Sequence, residues 1–205
     1  MRLRTLTSVA LCLLTSQAMA ASGDAPIEPA SQASIGPQES LALPGDSIYH
    51  LDVDMVDQRG ETIALSVYAG KPVLISMFYA SCPMACPMLI ADVTALEDKL
   101  TAEERAGLRV LLVSLDPEAD TPEELRGVVE RHVIDQSRWR LASPPEPRVR
   151  DIAALLGISY QAIEGGELHH SSIITLLDSQ GRIIEKLDGL QQSPEPLLQA
   201  LRALE

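Results

Sequence analysis

Two cysteines separated by three residues, Cys82 and Cys86, are the side chains of this sequence best suited to chemistry. Residues four apart on a helix lie about one turn from each other, so both sulfurs can point the same way. Such a pair can close into a disulfide, exchange electrons with another dithiol, or bind a soft metal ion as two thiolates. The disulfide and the metal site exclude each other, because oxidised sulfurs are no longer thiolate ligands.

A functional role for this pair is favoured over a structural disulfide or two buried thiols. The loop between Cys82 and Cys86 is too short for a disulfide there to remove much entropy from the unfolded chain. Both cysteines stand where an apolar run gives way to a predicted helix, rather than along an apolar face. Free N–H groups and the dipole at a helix start favour thiolate over thiol.

A metal ion would need a third donor, and four histidines are available: His50, His132, His169 and His170. His50 lies in a predicted strand and His132 near the end of a predicted helix, where a histidine suits the dipole. His169 and His170 precede a predicted strand, and adjacent residues of extended backbone point to opposite faces. At most one of these two therefore faces the dithiol, and spacing alone does not choose between ligation and an ordinary polar role for either.

Two thiolates and an imidazole form a small, soft donor set that suits Cu(I). Structural zinc takes four protein ligands, and no fourth ligand is evident from the sequence. Met84 and Met88 flank the pair, where a thioether could assist Cu(I), although packing at the helix start is the expected role. Asp116 and Asp120 could hydrogen-bond near the site or shape the loop before a helix.

The elements that position these residues alternate between strands and helices. Residues 73–79 form a continuous apolar run typical of a central strand covered on both faces, and it ends just before Cys82. Residues 87–100 carry one apolar face and predict a helix. Further strands are predicted at 48–55, 62–67, 108–115, 138–141, 158–162, 172–177 and 182–187, and further helices at 121–132, 149–156 and from 193. This order predicts an α/β fold with a central mixed β-sheet, helices on both sides and an extra N-terminal β-hairpin.

Composition and the N-terminus divide the 205 residues into three parts. Residues 1–20 predict a secretory signal peptide, because they have a basic start, an apolar stretch and the small residues Ala18 and Ala20 before a cleavage site. Cleavage would also remove Cys12. Residues 21–46 predict a flexible tether, and residues 47–205 predict one domain. The domain would therefore work in the periplasm, with no transmembrane span. A net charge of −13 argues against nucleic acid and anionic membranes as partners.

Three motifs resemble those of the Sco/SenC copper proteins. The segment 82–87, Cys-Pro-Met-Ala-Cys-Pro, is similar to the family's Cys-x-x-x-Cys-Pro signature. The segment 116–122 matches its Asp-Pro-x-x-Asp-Thr-Pro stretch, and His170-Ser171-Ser172 is similar to its histidine segment. The resemblance implies a thioredoxin-like fold and one copper ion, Cu(I) or Cu(II), bound by Cys82, Cys86 and His170.

The resemblance also implies two functions. The first is a metallochaperone, not an enzyme, that takes copper from a donor and delivers it to an extracytoplasmic cuproenzyme, by family default the copper A site of cytochrome c oxidase. The alternative is a thiol-disulfide oxidoreductase in which Cys82 and Cys86 are the redox-active pair that reduces the cysteines of the recipient copper site. A thioredoxin-like oxidoreductase usually has two residues between its cysteines, whereas this chain has three.

Overall fold

A seven-stranded mixed β-sheet forms the centre of the part that this computed structural model describes, residues 43–162 and 168–204. Its strands are β1 (Asp54–Asp57), β2 (Thr62–Ala64), β3 (Val73–Phe78), β4 (Arg109–Ser114), β5 (Trp139–Ser143), β8 (Ile173–Leu177) and β9 (Ile183–Asp188). A separate two-stranded sheet consists of β6 (Tyr160–Ala162) and β7 (Leu168–His170). The helices are α1 (Ala85–Glu97), α2 (Ala102–Gly107), α3 (Pro122–His132), α4 (Glu146–Leu156) and α5 (Glu195–Arg202), with 3-10 helices at Ile48–His50 and Leu65–Tyr68.

The strand order in the large sheet is β2-β1-β5-β4-β3-β8-β9. Strands β3, β4 and β5 run parallel, while the hairpin β1–β2 and the pair β8–β9 add antiparallel strands on the two sides. The central mixed sheet and the extra N-terminal hairpin predicted from the sequence are therefore confirmed.

Strand β3 is covered on both faces, and all six of its residues are buried. Leu74 and Phe78 pack into one core with residues of α1, α3 and α5. Ile75 and Met77 pack into a second core with residues of α4. Because side chains alternate between the faces of a strand, a continuous apolar run is what a strand between two helical layers requires. The prediction of helices on both sides is confirmed.

The connection between β3 and α1 carries the two cysteines. Helix α1 begins at Ala85, two residues before the predicted start, and Met84 occupies its N-cap position. Cys82 therefore precedes the helix, while Cys86 lies in its first turn. Pro87 follows directly, within the first turn, where its missing N–H leaves no intrahelical bond unmade.

Three local features differ from the sequence-based expectation. The strand predicted at 62–67 ends at Ala64 and continues as the 3-10 helix Leu65–Tyr68. Residues 48–55 do not form one strand, because the Ser47 hydroxyl accepts a hydrogen bond from the Tyr49 N–H and caps the 3-10 helix Ile48–His50. The strand begins only at Asp54. Helix α2 was not predicted; it buries no residue and is held at its start by a capping box between Thr101 and Glu104.

The predicted signal peptide and nearly all of the predicted tether lie outside the described residues, as does the predicted loop at 164–167. Leu43, within the predicted tether, packs against the core that contains α4. Among residues 43–162 and 168–204, no helix is long and apolar enough to cross a bilayer.

Candidate metal centre

Cys82, Cys86 and His170 converge where β3 gives way to α1. One donor atom from each side chain, two sulfurs and a ring nitrogen, lies within 4.8 Å of the other two. Three donors spaced evenly around one ion at roughly 2.0–2.3 Å lie about 3.5–4.0 Å apart. Movements of at most about 1 Å therefore let all three bind a single ion. Both thiols are free.

Backbone N–H groups hold both sulfurs in place. The Cys86 N–H donates to Cys82 Sγ over 3.3 Å, and the Tyr79 N–H donates to Cys86 Sγ over 3.4 Å. Burial opposes ionisation of Cys82, but hydrogen bonds from the N–H groups of Cys86 and Met84 outweigh it and lower the pKa of the Cys82 thiol. These N–H groups belong to the start of α1, so the sequence-based expectation of a thiolate at a helix start applies to Cys82.

The second cysteine is the more deeply buried of the two. Cys86 is 3% exposed, against 9% for Cys82, and this burial raises the pKa of the Cys86 thiol. Without a metal ion, Cys86 is therefore a protonated thiol, while Cys82 is the sulfur closer to ionisation and to solvent. A soft cation bound between them would displace the Cys86 proton.

His170 is oriented as a ligand by its own hydrogen bond. Its Nδ1 lies 3.1 Å from the Ser171 carbonyl oxygen, which can only accept, so Nδ1 carries the proton. Nε2 is left with a free lone pair, and it is buried with no hydrogen-bond partner in the described part of the chain. Burial also lowers the pKa of His170, which keeps the ring neutral. A neutral imidazole fixed by a backbone carbonyl is the usual form of a metal-binding histidine.

The other three histidines lie elsewhere or face away. His169 is exposed, whereas its neighbour His170 is half-buried, as the alternation of extended backbone predicts. His50 is exposed and its Nε2 lies 2.8 Å from the Pro44 carbonyl oxygen. His132 ends α3, the position that the sequence indicated.

Tyr79 was not singled out from the sequence, yet it joins the cysteine loop to the histidine strand. Its ring meets the ring of His170 edge to face, with centroids 5.7 Å apart at 76°. Burial and a hydrogen bond to Cys82 raise the pKa of its hydroxyl to about 12, so the hydroxyl stays a donor to Cys82. The same hydroxyl accepts from the Leu168 N–H on β7. As the last residue of an apolar run, Tyr79 gave no sequence signal beyond core packing.

Asp120 ties the loop before α3 to the cysteine loop. Its carboxylate accepts from the Ala80 N–H at 3.0 and 3.2 Å and from the Ser114 hydroxyl at 2.6 Å. Asp116 instead accepts from the Ala119 N–H and shapes its own turn. Of the two roles considered from the sequence, Asp120 thus bonds next to the site and Asp116 shapes the loop.

The pH dependence of stability should change when Asp120 is replaced by asparagine. Burial raises the pKa of Asp120 from 3.8 to about 6, so the folded state holds this proton more tightly than the unfolded state does. Its stabilising contribution is full below about pH 4 and is lost as the pH rises through about 6. We expect the free energy of unfolding of the metal-free protein to fall by roughly 3 kcal/mol more than that of Asp120→Asn over this range.

Urea unfolding at several pH values measures this difference. Glu118→Gln removes one exposed charge from the same loop, and the pH dependence of its stability should keep the wild-type shape. If the free energy of unfolding of the wild type and of Asp120→Asn changed in parallel with pH, Asp120 would have the same pKa in the folded and the unfolded state, and the prediction would be wrong.

A groove of about 430 Å³ opens beside the two sulfurs. It is lined by both cysteines, by apolar residues of α1 and α3, and by Arg131 and His132 at the end of α3. Met84 is 70% exposed, so the expectation that it packs at the helix start is wrong for this residue. The groove gives another molecule access to the sulfurs from the side of α3.

The SCO1/SenC family model matches residues 45–204, which include all three donors. This chain belongs to the SCO1/SenC family. A curated relative in this family, the SCO1 protein homolog of Bacillus subtilis (strain 168), is 26% identical over 144 residues. That alignment covers 67% of the present Sco/SenC chain and 72% of the relative.

Solved structures show the same fold for this Sco/SenC protein. The structure of Bradyrhizobium japonicum ScoI with copper bound matches with a TM-score of 0.63 at 21% identity, covering 75% of this chain and 97% of that one. BsSco, described as a member of the Sco family of cytochrome c oxidase assembly proteins with a disulfide switch, matches with a TM-score of 0.65 at 21% identity, covering 74% and 90%. The predicted thioredoxin-like fold is thereby confirmed.

Proposed function

We propose that this Sco/SenC protein is a copper carrier that binds one ion through Cys82, Cys86 and His170. Two observations support this most strongly: a ring nitrogen of His170 lies within 4.8 Å of two free sulfurs, and its buried Nε2 has no hydrogen-bond partner in the described part of the chain. Two thiolates and one neutral imidazole suit Cu(I), and the same set can hold Cu(II). The copper-bound structure of a family relative supports the choice of metal.

The two sulfurs have different parts in delivery. Cys82 is nearer solvent and lines the groove, so a thiolate of the recipient reaches the ion on this side first. A bond from copper to the incoming sulfur forms as the bond to Cys82 breaks, and Cys82 takes up the proton that the incoming thiol gave up. Repetition at Cys86, followed by breaking of the bond to the His170 imidazole, completes the transfer with no change in the oxidation state of copper. Nothing is turned over, so this function is not enzymatic.

The recipient that we propose is an extracytoplasmic cuproenzyme, with the copper A site of cytochrome c oxidase as the first candidate. The description of BsSco as a cytochrome c oxidase assembly protein supports this choice. The proposed place of work is the periplasm, reached through the export signal predicted at residues 1–20. A mature chain that begins at Ala21, measured by mass spectrometry of a periplasmic extract, would support that location.

Copper titration of the reduced protein tests the proposal. We expect one ion per chain, with sulfur-to-copper charge-transfer absorption when the ion is Cu(II). Competition with a Cu(I) chelator should show that the protein also binds one Cu(I) ion per chain. Weak binding with several ions per chain, and no charge-transfer band, would refute the carrier function.

A second candidate function, reduction of a disulfide in the recipient site, is favoured by the unequal burial of the cysteines. Cys82 would attack one partner sulfur to form a mixed disulfide and release the other as a thiolate. Cys86 would then attack Cys82, leaving the partner as a dithiol and this protein oxidised. The two electrons come from the dithiol of this chain.

Trapping separates this second function from copper transfer. The variant Cys86→Ala should accumulate a mixed disulfide with an oxidised cysteine-pair peptide, seen by mass spectrometry, whereas Cys82→Ala should not. Equal trapping by the two variants would remove the assignment of Cys82 as the attacking thiol.

A further inference from the structure

A second cavity, of about 270 Å³, lies at the other end of the sheet from the sulfurs. We call it the basic cavity, because four of its lining residues are cationic: Lys71, Arg109, Arg138 and Arg140. Arg109 begins β4 and Arg138 directly precedes β5, whereas Cys82 follows the end of the parallel strand β3. Six strand residues at about 3.3 Å each place the cavity roughly 20 Å from the metal centre.

Three carboxylates offset part of this positive charge. Arg140 Nε pairs with Asp57 Oδ2 at 3.1 Å. Arg138 pairs with Glu97 through Nη1 and with Asp135 through Nε at 2.9 Å. Each guanidinium group thus has one buried carboxylate partner, Asp57 for Arg140 and Glu97 for Arg138, so the two arginines form the rigid wall of the cavity.

The positive charges of the other two cations, Lys71 and Arg109, are not offset by a carboxylate partner in the described part of the chain. Among residues 43–162 and 168–204, neither Lys71 nor Arg109 forms an ion pair. Arg109 Nη1 donates to the carbonyl oxygens of Ala106 and Leu108 at 2.9 and 2.8 Å, which holds its guanidinium in place. A net cationic cavity in a chain with a net charge of −13 is a local reversal of the overall charge. Fixed guanidinium groups match the oxygens of a phosphate well.

The cavity also contains a buried hydroxyl with no partner. Tyr68 lines it and is only 7% exposed, yet its hydroxyl oxygen has no hydrogen bond in the described part of the chain. Burial raises the pKa of this hydroxyl, against the effect of Arg140 and Arg109, so the group remains a donor at neutral pH. Buried tyrosine hydroxyls normally have a hydrogen-bond partner. An anion in the cavity would supply the acceptor.

We propose that the basic cavity binds a phosphate group, with Arg109, Lys71 and the Tyr68 hydroxyl as its principal contacts. The group can belong to free phosphate or to the headgroup of an anionic phospholipid, since both present the same oxygens. This site is independent of copper, because it shares no residue with the metal centre.

Calorimetric titration with inorganic phosphate at constant ionic strength tests the site. We expect saturable one-site binding, weakened about tenfold or more by Arg109→Gln. Tyr68→Phe should weaken it severalfold, since it removes one donor. Lys99→Gln removes one exposed charge shortly after the end of α1, at a residue that does not line the cavity. It should change the affinity by less than about twofold. Copper stoichiometry should be unchanged in all three variants, which separates this proposal from the proposed function.

Sedimentation with vesicles distinguishes the two sources of phosphate. Vesicles of phosphatidylglycerol and phosphatidylcholine are compared with vesicles of phosphatidylcholine alone, for the wild type and Arg109→Gln. Binding that needs phosphatidylglycerol and Arg109, without binding of free phosphate, supports a lipid headgroup; phosphate binding supports the free anion. The proposal is overturned if neither probe binds saturably, or if Lys99→Gln weakens binding as much as Arg109→Gln does.

Discussion

Replacing Cys82 or Cys86 with serine is expected to abolish tight copper binding. A serine hydroxyl stays protonated near neutral pH and is a poor ligand for a soft ion, whereas the thiolate is the ligand form of cysteine. Each change removes one of three donors, and we expect the affinity for Cu(I) to fall at least about a thousandfold, or about 4 kcal/mol. The sulfur-to-copper absorption of the Cu(II) form should be lost from either variant or strongly altered.

Met84→Leu is the matched control for the cysteine variants. It removes the sulfur that lies between the two cysteines in the chain, and its side chain is 70% exposed, so neither folding nor copper binding should change. Circular dichroism of the metal-free variants checks that each serine variant is folded. Wild-type affinity in a folded Cys86→Ser or Cys82→Ser protein would remove that sulfur from the ligand set.

The second large effect is expected at His170, with its neighbour as the control. His170→Ala removes the only buried, unpartnered ring nitrogen near the sulfurs in the described part of the chain. Loss of a group that merely orients a ligand costs about 10–100-fold in metal affinity. We therefore expect His170→Ala to weaken Cu(II) binding by more than about a hundredfold. His169→Ala, which removes an exposed ring, should change it by less than about twofold.

Electron paramagnetic resonance gives a readout that a general loss of stability would not produce. The wild-type Cu(II) form should show hyperfine coupling to one nitrogen, and His170→Ala should lose it while His169→Ala keeps it. The reverse pattern would assign the third ligand to His169.

The parts of the fold that were predicted from the sequence are those with a strong local signal. The unbroken apolar run of β3 and the Thr121-Pro122 start of α3 were both found with small errors at their ends. Helix α2 was missed because it buries no side chain, so no apolar period marks it. Strand β7 was missed because Leu168–His170 has no apolar alternation and is defined by its pairing with β6.

The metal centre was only partly predictable for a physical reason. The two cysteines are close in sequence, so their proximity follows from helix geometry. His170 lies more than eighty residues away, and only the tertiary fold brings it to the sulfurs. Alternation along extended backbone indicated that one histidine of the pair faces inward, but the resemblance to a family, not the spacing, indicated which one.

The strand that carries His170 has a consequence for the release of a bound ion. In the described part of the chain, β7 is hydrogen-bonded as a strand to β6 alone, outside the seven-stranded sheet whose β3 leads to the sulfurs. Swinging this short ribbon outward would withdraw the imidazole while leaving every ladder of the large sheet intact. Retention and release of a bound ion would then depend on a three-residue strand, and the cost of release would be the contacts that Leu168 makes with both hydrophobic cores.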